Sequence, residues 1–254
     1  MKEDRVRVAL DAGKIAVGAF CRSSDPDFYE QCGWLGYDFI WVESEHTDMT
    51  GTMKANAILA GQAGGASVFV RIPAVDLNLA KPVLDAGADG IIFPNITCVE
   101  DARKAIAACR FPPKGNRGFG GGRGMKHGET PMVEYLEHVE NNIWRILQIE
   151  HVNAVRELDE ILALDGLSAV ICGPMDLSAS IGKLGQLGDP EVSALMKTIA
   201  EKALAAGIPF GIASPGDNPM VQQWKEWGAT LLAIGDHISY FAKESKVVLA
   251  KYKG

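Results

Sequence analysis

The amino-acid sequence predicts a (β/α)8 barrel, and three observations lead to this fold class. Short apolar runs alternate with helical patterns along the chain of 254 residues. The runs are almost continuously apolar, which is typical of parallel strands covered on both faces. Several helical patterns end in a glycine just before the next run, which indicates helix C-termini that lead into strands. Eight strands separated by helices in about 250 residues match this barrel.

Eight apolar runs define the predicted strands. They span Ile15–Phe20, Phe39–Glu43, Ser67–Ile72, Gly90–Phe93, Trp144–Ile149, Ser168–Cys172, Pro209–Ala213 and Thr230–Ile234. Predicted helices include Ala154–Leu164 and Pro190–Ala206, and Gly87 and Gly207 stand at helix ends before strands. A doubly wound open sheet is the alternative, but it usually has fewer strands and a switch point in strand order. No Pro/Ser-rich linker divides the chain, so we expect a single domain over residues 1–254.

Composition and charge disfavour several classes of partner. The formal net charge of −7 argues against a surface for nucleic acids or anionic membranes. No stretch approaches the roughly 20 apolar residues that span a bilayer, and the N-terminus lacks the apolar core of a signal peptide. The five cysteines are scattered, as expected of reduced thiols. We therefore expect a cytoplasmic protein with small-molecule partners and with no nucleic-acid or membrane partner.

Two carboxylates follow neighbouring predicted strands. Glu150 comes directly after Trp144–Ile149, and Asp176 follows Ser168–Cys172 after a Gly-Pro-Met turn. One helix-sized segment lies between them, so a single βαβ unit would bring both acids to the same end of the sheet. Such oxygen-rich pairs hold a hard divalent cation and leave coordination positions open for a substrate. Capping of a helix by Asp176 and an ion pair of Glu150 are the alternatives.

Further polar side chains stand at the predicted carboxyl ends of strands, where catalytic groups of barrels lie. Glu43 ends the second strand and is followed by Glu45 and His46, Arg71 comes near the end of the third, and Gln148 near the end of the fifth. A histidine exchanges protons near neutrality, and an arginine offers carboxylates a rigid, permanently charged fork. A surface histidine and a salt-bridged arginine are the alternatives. Together, these residues favour a site that binds an anionic substrate.

Several short motifs stand in a specific order along the chain. They are Gly36–Asp38 with Val42–His46, Val70–Pro73, Asn116–Gly120, Gln148–Glu150 and Gly173–Ser180. Together they resemble the HpcH/HpaI family of class II, metal-dependent pyruvate aldolases, and the resemblance covers the chain from Gly18 to residues 233–235. It implies a single-domain TIM barrel of the phosphoenolpyruvate/pyruvate type.

The resemblance also implies an activity and a set of site residues. The activity is reversible cleavage of a 4-hydroxy-2-oxoacid, of the 2-keto-3-deoxy sugar acid or 2,4-dihydroxyhept-2-enedioate type, to pyruvate and an aldehyde through a metal-stabilised enolate. Glu150 and Asp176 are implied to bind Mg2+, Mn2+ or Co2+. Arg71 is implied to pair with the pyruvate carboxylate and the developing enolate. His46 is implied to be the general base, with Glu43 beside it.

Other positions carry further implications of the same resemblance. Asp85 matches the family's second acid and is expected to reach the site of a neighbouring subunit, in a homo-oligomer that is a trimer or hexamer with an exchanged terminal helix. Gln148, Gly173, Met175 and Phe20 are expected to contact the substrate. Phe20 stands where many members have Trp, and Met175 replaces a smaller residue. The resemblance therefore does not specify the aldehyde.

The longest irregular stretch, residues 112–130, is rich in Gly, Arg and Lys. It lacks the Gly-Lys-Ser/Thr ending of a phosphate-binding loop. We interpret it as a mobile loop after the fourth strand that lines the substrate entrance. Arg123 or Lys126 would then bind a second carboxylate of the substrate.

Three other functions remain open at the level of sequence. The same enolate chemistry would serve an oxaloacetate decarboxylase, because the metal and Arg71 would stabilise the same intermediate. A malyl- or citryl-CoA-type lyase would need a basic groove for the nucleotide, which this acidic chain does not indicate. A barrel that binds 2-oxoacids without turning them over would not need His46 as a base.

Overall fold

Eight parallel strands form one closed barrel in the computed structural model, which describes residues 3–216 and 218–253. Neighbours in sequence pair with each other, and the first strand pairs with the eighth. The strands are β1 (Ala16–Cys21), β2 (Phe39–Glu43), β3 (Ser67–Arg71), β4 (Gly90–Ile96), β5 (Trp144–Ile149), β6 (Ala169–Cys172), β7 (Phe210–Ser214) and β8 (Leu231–Asp236). The predicted (β/α)8 barrel is confirmed, and the open-sheet alternative is excluded.

Helices connect the strands. They are α1 (Arg5–Asp11), α2 (Pro26–Trp34), α3 (Gly51–Ala63), α4 (Leu77–Asp85), α5 (Val99–Ala108), α6 (Met132–Asn142), α7 (Val152–Arg156), α8 (Leu158–Leu162), α9 (Pro174–Ala179), α10 (Pro190–Ala205), α11 (Met220–Glu226) and α12 (His237–Lys253), with a 3-10 helix over Arg123–Gly128. Gly87 and Gly207, predicted at helix ends, have φ values of 88° and 69°. This left-handed conformation is accessible to glycine without a Cβ clash, so both residues reverse the chain towards the next strand.

Most predicted strand ends lie within one or two residues of the observed ends, and two elements differ more from the sequence prediction. The predicted helix Ala154–Leu164 is divided into α7 and α8 at Glu157, whose φ and ψ are −95° and 12°. The Glu157 carboxylate accepts a hydrogen bond of 2.7 Å from the backbone N–H of Val99. The contact joins segments that are distant in sequence, so the apolar periodicity of residues 154–164 does not predict the break in the helix. β4 also runs beyond its predicted end at Phe93, with a register shift before Ile96.

The N-terminal helix α1 covers one end of the barrel. Val6 of α1 is fully buried in the cluster of side chains inside the barrel, which includes Phe39, Phe69 and Trp144. The indole Nε1 of Trp144 donates a hydrogen bond of 2.8 Å to Asp4, the residue that caps α1. Because Trp144 begins β5, the covered end is the amino end of the strands. The carboxyl end is left for a substrate site.

The glycine-rich stretch 112–130 packs at the covered end of the barrel. Arg123 Nη1 donates to Gln62 Oε1 (2.7 Å) and to the carbonyl oxygen of Ala86 (3.1 Å), both near the C-terminal ends of helices. Lys126 is exposed beside it. Since α5 precedes this stretch, the chain has already returned to the amino end of the strands. The expectation that Arg123 or Lys126 binds a second carboxylate at the entrance of this chain's site is therefore wrong.

The cysteines agree with the expectation of reduced thiols. All five cysteines are free thiols, and four of them are buried. In the part of the chain that the structure describes, no helix has the length and apolar character needed to cross a bilayer.

Candidate active site

The carboxyl ends of β2, β3, β5 and β6 bring most of the predicted site residues together. Direct contacts link Glu43, Arg71, Gln148 and Glu150, and His46 and Asp176 lie at the edge of the same group. This end of the barrel is opposite the one covered by α1. The site therefore lies where barrel enzymes carry their catalytic groups.

Glu43 is buried and accepts hydrogen bonds from four donors. Its Oε1 accepts from the backbone N–H groups of Glu45 (2.8 Å) and His46 (2.9 Å). Its Oε2 accepts from Arg71 Nε (2.6 Å) and from Trp41 Nε1 (3.2 Å). A carboxylate bound in this way fixes the backbone that carries His46 and the orientation of Arg71. Of the predicted catalytic residues, Glu43 thus has the geometry of a positioning group.

Arg71 is held on two sides and keeps one nitrogen for a ligand. Besides its bond to Glu43, its Nη1 lies 3.1 Å from Glu45 Oε2 and donates to Gln148 Oε1 at 3.2 Å. The guanidinium also lies 5.2 Å from the ring centroid of Trp41, a favourable distance for a cation–π contact. Its Nη2 has no hydrogen-bond partner among the described residues. Arg71 is therefore fixed in position and able to donate to an anionic oxygen.

His46 forms a loose pair with Glu45 at the mouth of the site. The His46 side chain is 67% exposed, and its Nε2 lies 3.7 Å from Glu45 Oε2. Burial raises the pKa of Glu45, whereas the positive charges of Arg71 and His46 lower it. Glu45 Oε2 is buried and accepts no hydrogen bond from the described residues. The nearest acid to the imidazole is thus Glu45, whereas Glu43 binds the backbone of His46.

Glu150 is a buried carboxylate in acidic surroundings. Burial raises its pKa from 4.5 to about 7, and the negative charges of Asp176 and Glu45 add to this shift. Its Oε1 accepts a hydrogen bond of 2.6 Å from the backbone N–H of Asn95, and its Oε2 accepts one from Gln148 Nε2. A Cβ on Gly173 would lie 2.3 Å from Glu150 Oε2, so only glycine fits there.

The oxygen donors around Glu150 fit a hard divalent cation. Two carboxylates contribute these donors, since Glu150 is buried, Asp176 is exposed at the start of α9, and the negative charge of Asp176 helps to raise the pKa of Glu150. The described residues contain no group of three or more His, Cys, Asp or Glu side chains that could hold a metal ion. A cation here would have two protein ligands, Glu150 and Asp176, and would take its other ligands from substrate and water.

Asn95 is a site residue that sequence reasoning missed. Its φ of 57° places it in the left-handed region, which asparagine tolerates better than most residues. In this conformation the backbone N–H reaches Glu150, and the side-chain Nδ2 donates to Glu45 Oε1 at 3.0 Å. An asparagine next to Pro94 near the end of a predicted strand was the available indication. Asn95 thus connects the proposed metal ligand to the acid beside His46.

Two substitutions of Asn95 should separate its backbone and side-chain roles. Asn95→Gly keeps the left-handed backbone and the hydrogen bond from its N–H group to Glu150, but it removes the hydrogen bond from the side-chain amide to Glu45. Asn95→Ala also strains the backbone, at a cost of about 1–2 kcal/mol. We expect the glycine variant to keep Mg2+ affinity within about twofold, and the alanine variant to lose about tenfold with a lower Tm. Calorimetric titration and thermal melts measure both, and equal losses in the two variants would contradict these roles.

A cavity of about 490 Å3 opens beside Arg71. The predicted substrate residues Phe20, Gln148, Gly173 and Met175 line it, as do His46 and Asp176. The lining also includes residues that the sequence did not indicate, among them Leu187, Ser214, Pro215, Asn218, Met220 and Trp224. They belong to the loop before α10, to β7, to the loop between β7 and α11, and to α11. Side-chain periodicity alone does not show that these segments share one wall.

Asp85 is the predicted site residue that lies elsewhere. It ends α4 at the covered end of the barrel, where its carboxylate accepts a hydrogen bond of 2.8 Å from Arg117 Nη2. A Cβ on Gly120 would lie 2.5 Å from Asp85 Oδ2, so the glycine-rich stretch packs directly on this acid. Asp85 is thus not part of the site within its own chain. A role in the site of a neighbouring subunit stays a prediction.

Comparison with known proteins supports the resemblance seen in the sequence. The chain is 29% identical over 252 residues to the hydroxypyruvate/pyruvate aldolase of Agrobacterium fabrum, covering 99% of this chain and 94% of that protein. It is 31% identical over 251 residues to the 5-keto-4-deoxy-D-glucarate aldolase of Enterobacter sp. (strain 638), covering 98% and 97% of the two chains.

Solved structures show the same relationship. An HpcH/HpaI aldolase from Desulfitobacterium hafniense DCB-2 superposes with a TM-score of 0.87 at 31% identity, over 96% of each chain. An HpcH/HpaI aldolase/citrate lyase family protein from Burkholderia cenocepacia J2315 gives a TM-score of 0.90 at 28% identity, over 98% of each chain. The family model described as HpcH/HpaI aldolase/citrate lyase matches residues 16–243. The chain therefore belongs to the HpcH/HpaI aldolase/citrate lyase family.

Proposed function

We propose that this protein is a metal-dependent aldolase that reversibly cleaves a 4-hydroxy-2-oxoacid to pyruvate and an aldehyde. The observation that carries the proposal is the placement of Arg71. Its guanidinium is fixed by Glu43 and Gln148, keeps Nη2 for a ligand, and lies at the same cavity as Asp176. A carboxylate anchor beside a proposed cation site is what a 2-oxoacid requires. The named activities of the two relatives are consistent with this chemistry.

Glu150 and Asp176 would hold the cation, which we propose to be Mg2+, Mn2+ or Co2+. When bound, it would supply Lewis-acid polarisation of the 2-oxo group and charge neutralisation for the enolate. Gln148 and Asn95 orient Glu150 by hydrogen bonds to its two oxygens. Such partners of a metal ligand fix its geometry and affinity.

The residues of the chain account for the remaining steps. Arg71 would bind the substrate carboxylate and the oxygen on which enolate charge develops. His46, with Glu45 beside it, would take the proton from the 4-hydroxyl group. The bond between C3 and C4 then breaks, its electron pair goes to the pyruvate enolate, and the aldehyde leaves. A proton added at C3 completes pyruvate, and addition runs through the same steps in reverse.

Oxaloacetate decarboxylation is the second candidate, because it passes through the same enolate. It differs in one respect, since no hydroxyl proton has to be removed. The role of His46 therefore separates the two reactions. A malyl- or citryl-CoA-type activity and simple 2-oxoacid binding remain outcomes that the same assays would reveal.

Replacement of His46 tests this proposal. With 4-hydroxy-2-oxopentanoate as substrate, His46→Ala should lower kcat/KM for pyruvate release by about a hundredfold or more, because the general base is lost. Carbon dioxide release from oxaloacetate should fall by less than about tenfold. His127→Asn is the matched control, because it replaces an exposed histidine at the covered end by a residue that tolerates the left-handed backbone there. Equal losses in both reactions would contradict the base role, and decarboxylation without aldol cleavage in the unmodified protein would favour the second candidate.

A homo-oligomer is proposed as well. The C-terminal helix α12 has no buried residue and exposes large apolar side chains, with Phe241 73% and Tyr252 77% exposed. Several exposed, large apolar side chains on one helix are typical of an interaction surface. It supports an exchange of α12 between subunits in a trimer or hexamer. A cytoplasmic location and a single domain over residues 1–254 also stay predictions.

A further inference from the structure

The cavity beside Arg71 has two chemically different parts, and the outer part bears on the unknown half of the substrate. The inner part is formed by Arg71, Gln148 and Asp176, which would bind pyruvate under the proposed function. We define the outer part as the lining contributed by Met175 on α9, Leu187 in the loop before α10, Ser214 at the end of β7, Pro215 and Asn218 in the loop after β7, and Met220 and Trp224 on α11. The aldehyde that leaves or adds at C4 would occupy this outer part.

The outer part of the cavity has few groups that could stabilise a second negative charge on the substrate. Met175, Leu187, Met220 and Trp224 contribute apolar surface. Among the described residues that line the cavity, only Arg71 and His46 can carry positive charge, and Arg71 already faces Glu43 and Glu45. A carboxylate on the aldehyde would lose its hydration without gaining a counter-ion. The wall therefore favours an uncharged aldehyde.

One hydroxyl group in this wall is prepared to donate a hydrogen bond. Asn218 Nδ2 donates to Ser214 Oγ at 3.0 Å, and Asn218 Oδ1 accepts from the backbone N–H of Met220 at 3.0 Å. The second contact fixes the orientation of the amide, so Ser214 Oγ acts as the acceptor of the pair. No described residue accepts the proton of the Ser214 hydroxyl group, so this proton is available to a ligand in the cavity that Ser214 lines. A hydroxyl or carbonyl oxygen on the aldehyde would be its partner.

We propose that the aldehyde half of the substrate is a short, uncharged hydroxyaldehyde, and that Ser214, positioned by Asn218, recognises its hydroxyl group. This inference rests on the proposed function and specifies the aldehyde for it. In the direction of addition, the enolate carbon of pyruvate bonds to the aldehyde carbon, and the aldehyde oxygen takes a proton. The hydroxyl of the aldehyde is unchanged in the reaction and serves only for recognition.

Three two-carbon aldehydes test the proposal with pyruvate as the second substrate. Acetaldehyde has no further group, glycolaldehyde carries a hydroxyl, and glyoxylate carries a carboxylate. Ser214→Ala should lower kcat/KM for glycolaldehyde by about fivefold to tenfold, which is the effect of one hydrogen bond. The kcat/KM for acetaldehyde should change by less than about twofold. Asn218→Ala should cause a smaller loss in the same direction. The matched control is Ser193→Ala, which lies on α10 and does not line the cavity. It should leave the kcat/KM values for glycolaldehyde and acetaldehyde unchanged.

A substitution that adds a cation gives the reverse test. Met175 is 49% exposed and lines the cavity, so Met175→Arg places a guanidinium at the wall without burying it. This variant should raise the kcat/KM for glyoxylate relative to glycolaldehyde by about tenfold or more, because the carboxylate gains a counter-ion. An unchanged ratio would contradict the inference that the wall excludes a carboxylate for lack of charge.

Exchange of the pyruvate methyl protons with deuterated water distinguishes failure of this inference from failure of the proposed function. The exchange reports enolate formation and needs no aldehyde. Suppose that the exchange occurs and that Ser214→Ala lowers kcat/KM equally for all three aldehydes, or that the unmodified enzyme prefers glyoxylate. Either result overturns the assignment of Ser214 and leaves the aldolase proposal standing. If the metal-loaded enzyme shows no exchange, the proposed function itself fails.

Discussion

Arg71→Lys should lower kcat/KM for pyruvate release by roughly a hundredfold to a thousandfold while the protein stays folded. Lysine keeps the charge, but its single ammonium group cannot contact Glu43, Gln148 and a substrate carboxylate in the way the guanidinium does. The loss should appear in oxaloacetate decarboxylation as well, because both reactions form the same enolate. This shared loss distinguishes Arg71 from His46.

The control for this experiment is Arg103→Lys, an exposed arginine on α5, which should leave both activities unchanged. Arg71→Ala is the less informative variant. It leaves the buried Glu43 carboxylate without its cation, which costs about 3–5 kcal/mol of unfolding free energy. Thermal melts should therefore show a near-normal Tm for Arg71→Lys only. Retention of most of the activity by Arg71→Lys would show that Arg71 is not the carboxylate anchor.

Glu150→Gln should have opposite effects on metal binding and on the stability of the metal-free protein. Affinity for Mg2+ should fall by about a hundredfold or more, because one of two carboxylate ligands is lost. The metal-free variant should nevertheless be more stable at pH about 8, because removal of the negative charge that is buried in acidic surroundings outweighs the loss of one hydrogen bond, from Asn95 or Gln148, which the glutamine NH2 group cannot accept. The pKa shift from 4.5 to about 7 corresponds to about 3 kcal/mol at most.

The pH dependence of this effect has a defined sign. Below pH about 4.5, Glu150 is protonated in both the folded and the unfolded chain and contributes nothing. Between pH about 4.5 and about 7 the unfolded chain releases the proton while the folded chain keeps it, so the unfolding free energy falls with rising pH. Above pH about 7 the penalty is constant, and the cation, which needs the carboxylate, binds without releasing a proton.

Denaturant unfolding in the presence of a chelator measures the stability of both proteins, and calorimetry measures the metal affinity. Glu134→Gln, an exposed glutamate on α6, is the matched control. It should change neither quantity. If Glu150→Gln were less stable than the unmodified metal-free protein at pH about 8, this would contradict the claim that the buried charge of Glu150 destabilises the protein when no cation is bound.

The sequence predicted the barrel well because parallel strands of a barrel are buried on both faces and are therefore continuously apolar. The predicted ends of β2 and β5 agree with the structure, and Glu43, Arg71 and Glu150 fall where the rule for barrel sites placed them. The end of β4 was missed because its last residues depend on the left-handed conformation of Asn95. That conformation serves contacts with Glu45 and Glu150, which are distant in sequence.

The misplaced glycine-rich stretch has a different cause. The sequence interpretation treated residues 112–130 as the loop directly after the fourth strand. Helix α5 (Val99–Ala108) lies in between, and a helix in a barrel returns the chain to the amino end of the strands. The amphipathic pattern of Val99–Ala108 was therefore the missing observation. Contacts such as that of Arg123 with Gln62 follow from this return.

The outer wall of the cavity was not predictable for a third reason. Ser214 and Asn218 are common surface residues, and their pairing depends on how β7 leads into α11. Leu187 joins them from another loop. Only the assembled barrel shows that these side chains share a cavity with Arg71.

Deuterium incorporation into the methyl group of pyruvate, followed by NMR in deuterated water, tests the central claim most directly. The claim is that Arg71 and a cation held by Glu150 and Asp176 stabilise a pyruvate enolate. We expect incorporation with Mg2+ or Mn2+, its loss after chelation, and its return when the metal is restored. Incorporation that continues unchanged in the chelated enzyme, or in Glu150→Gln, would contradict the claim.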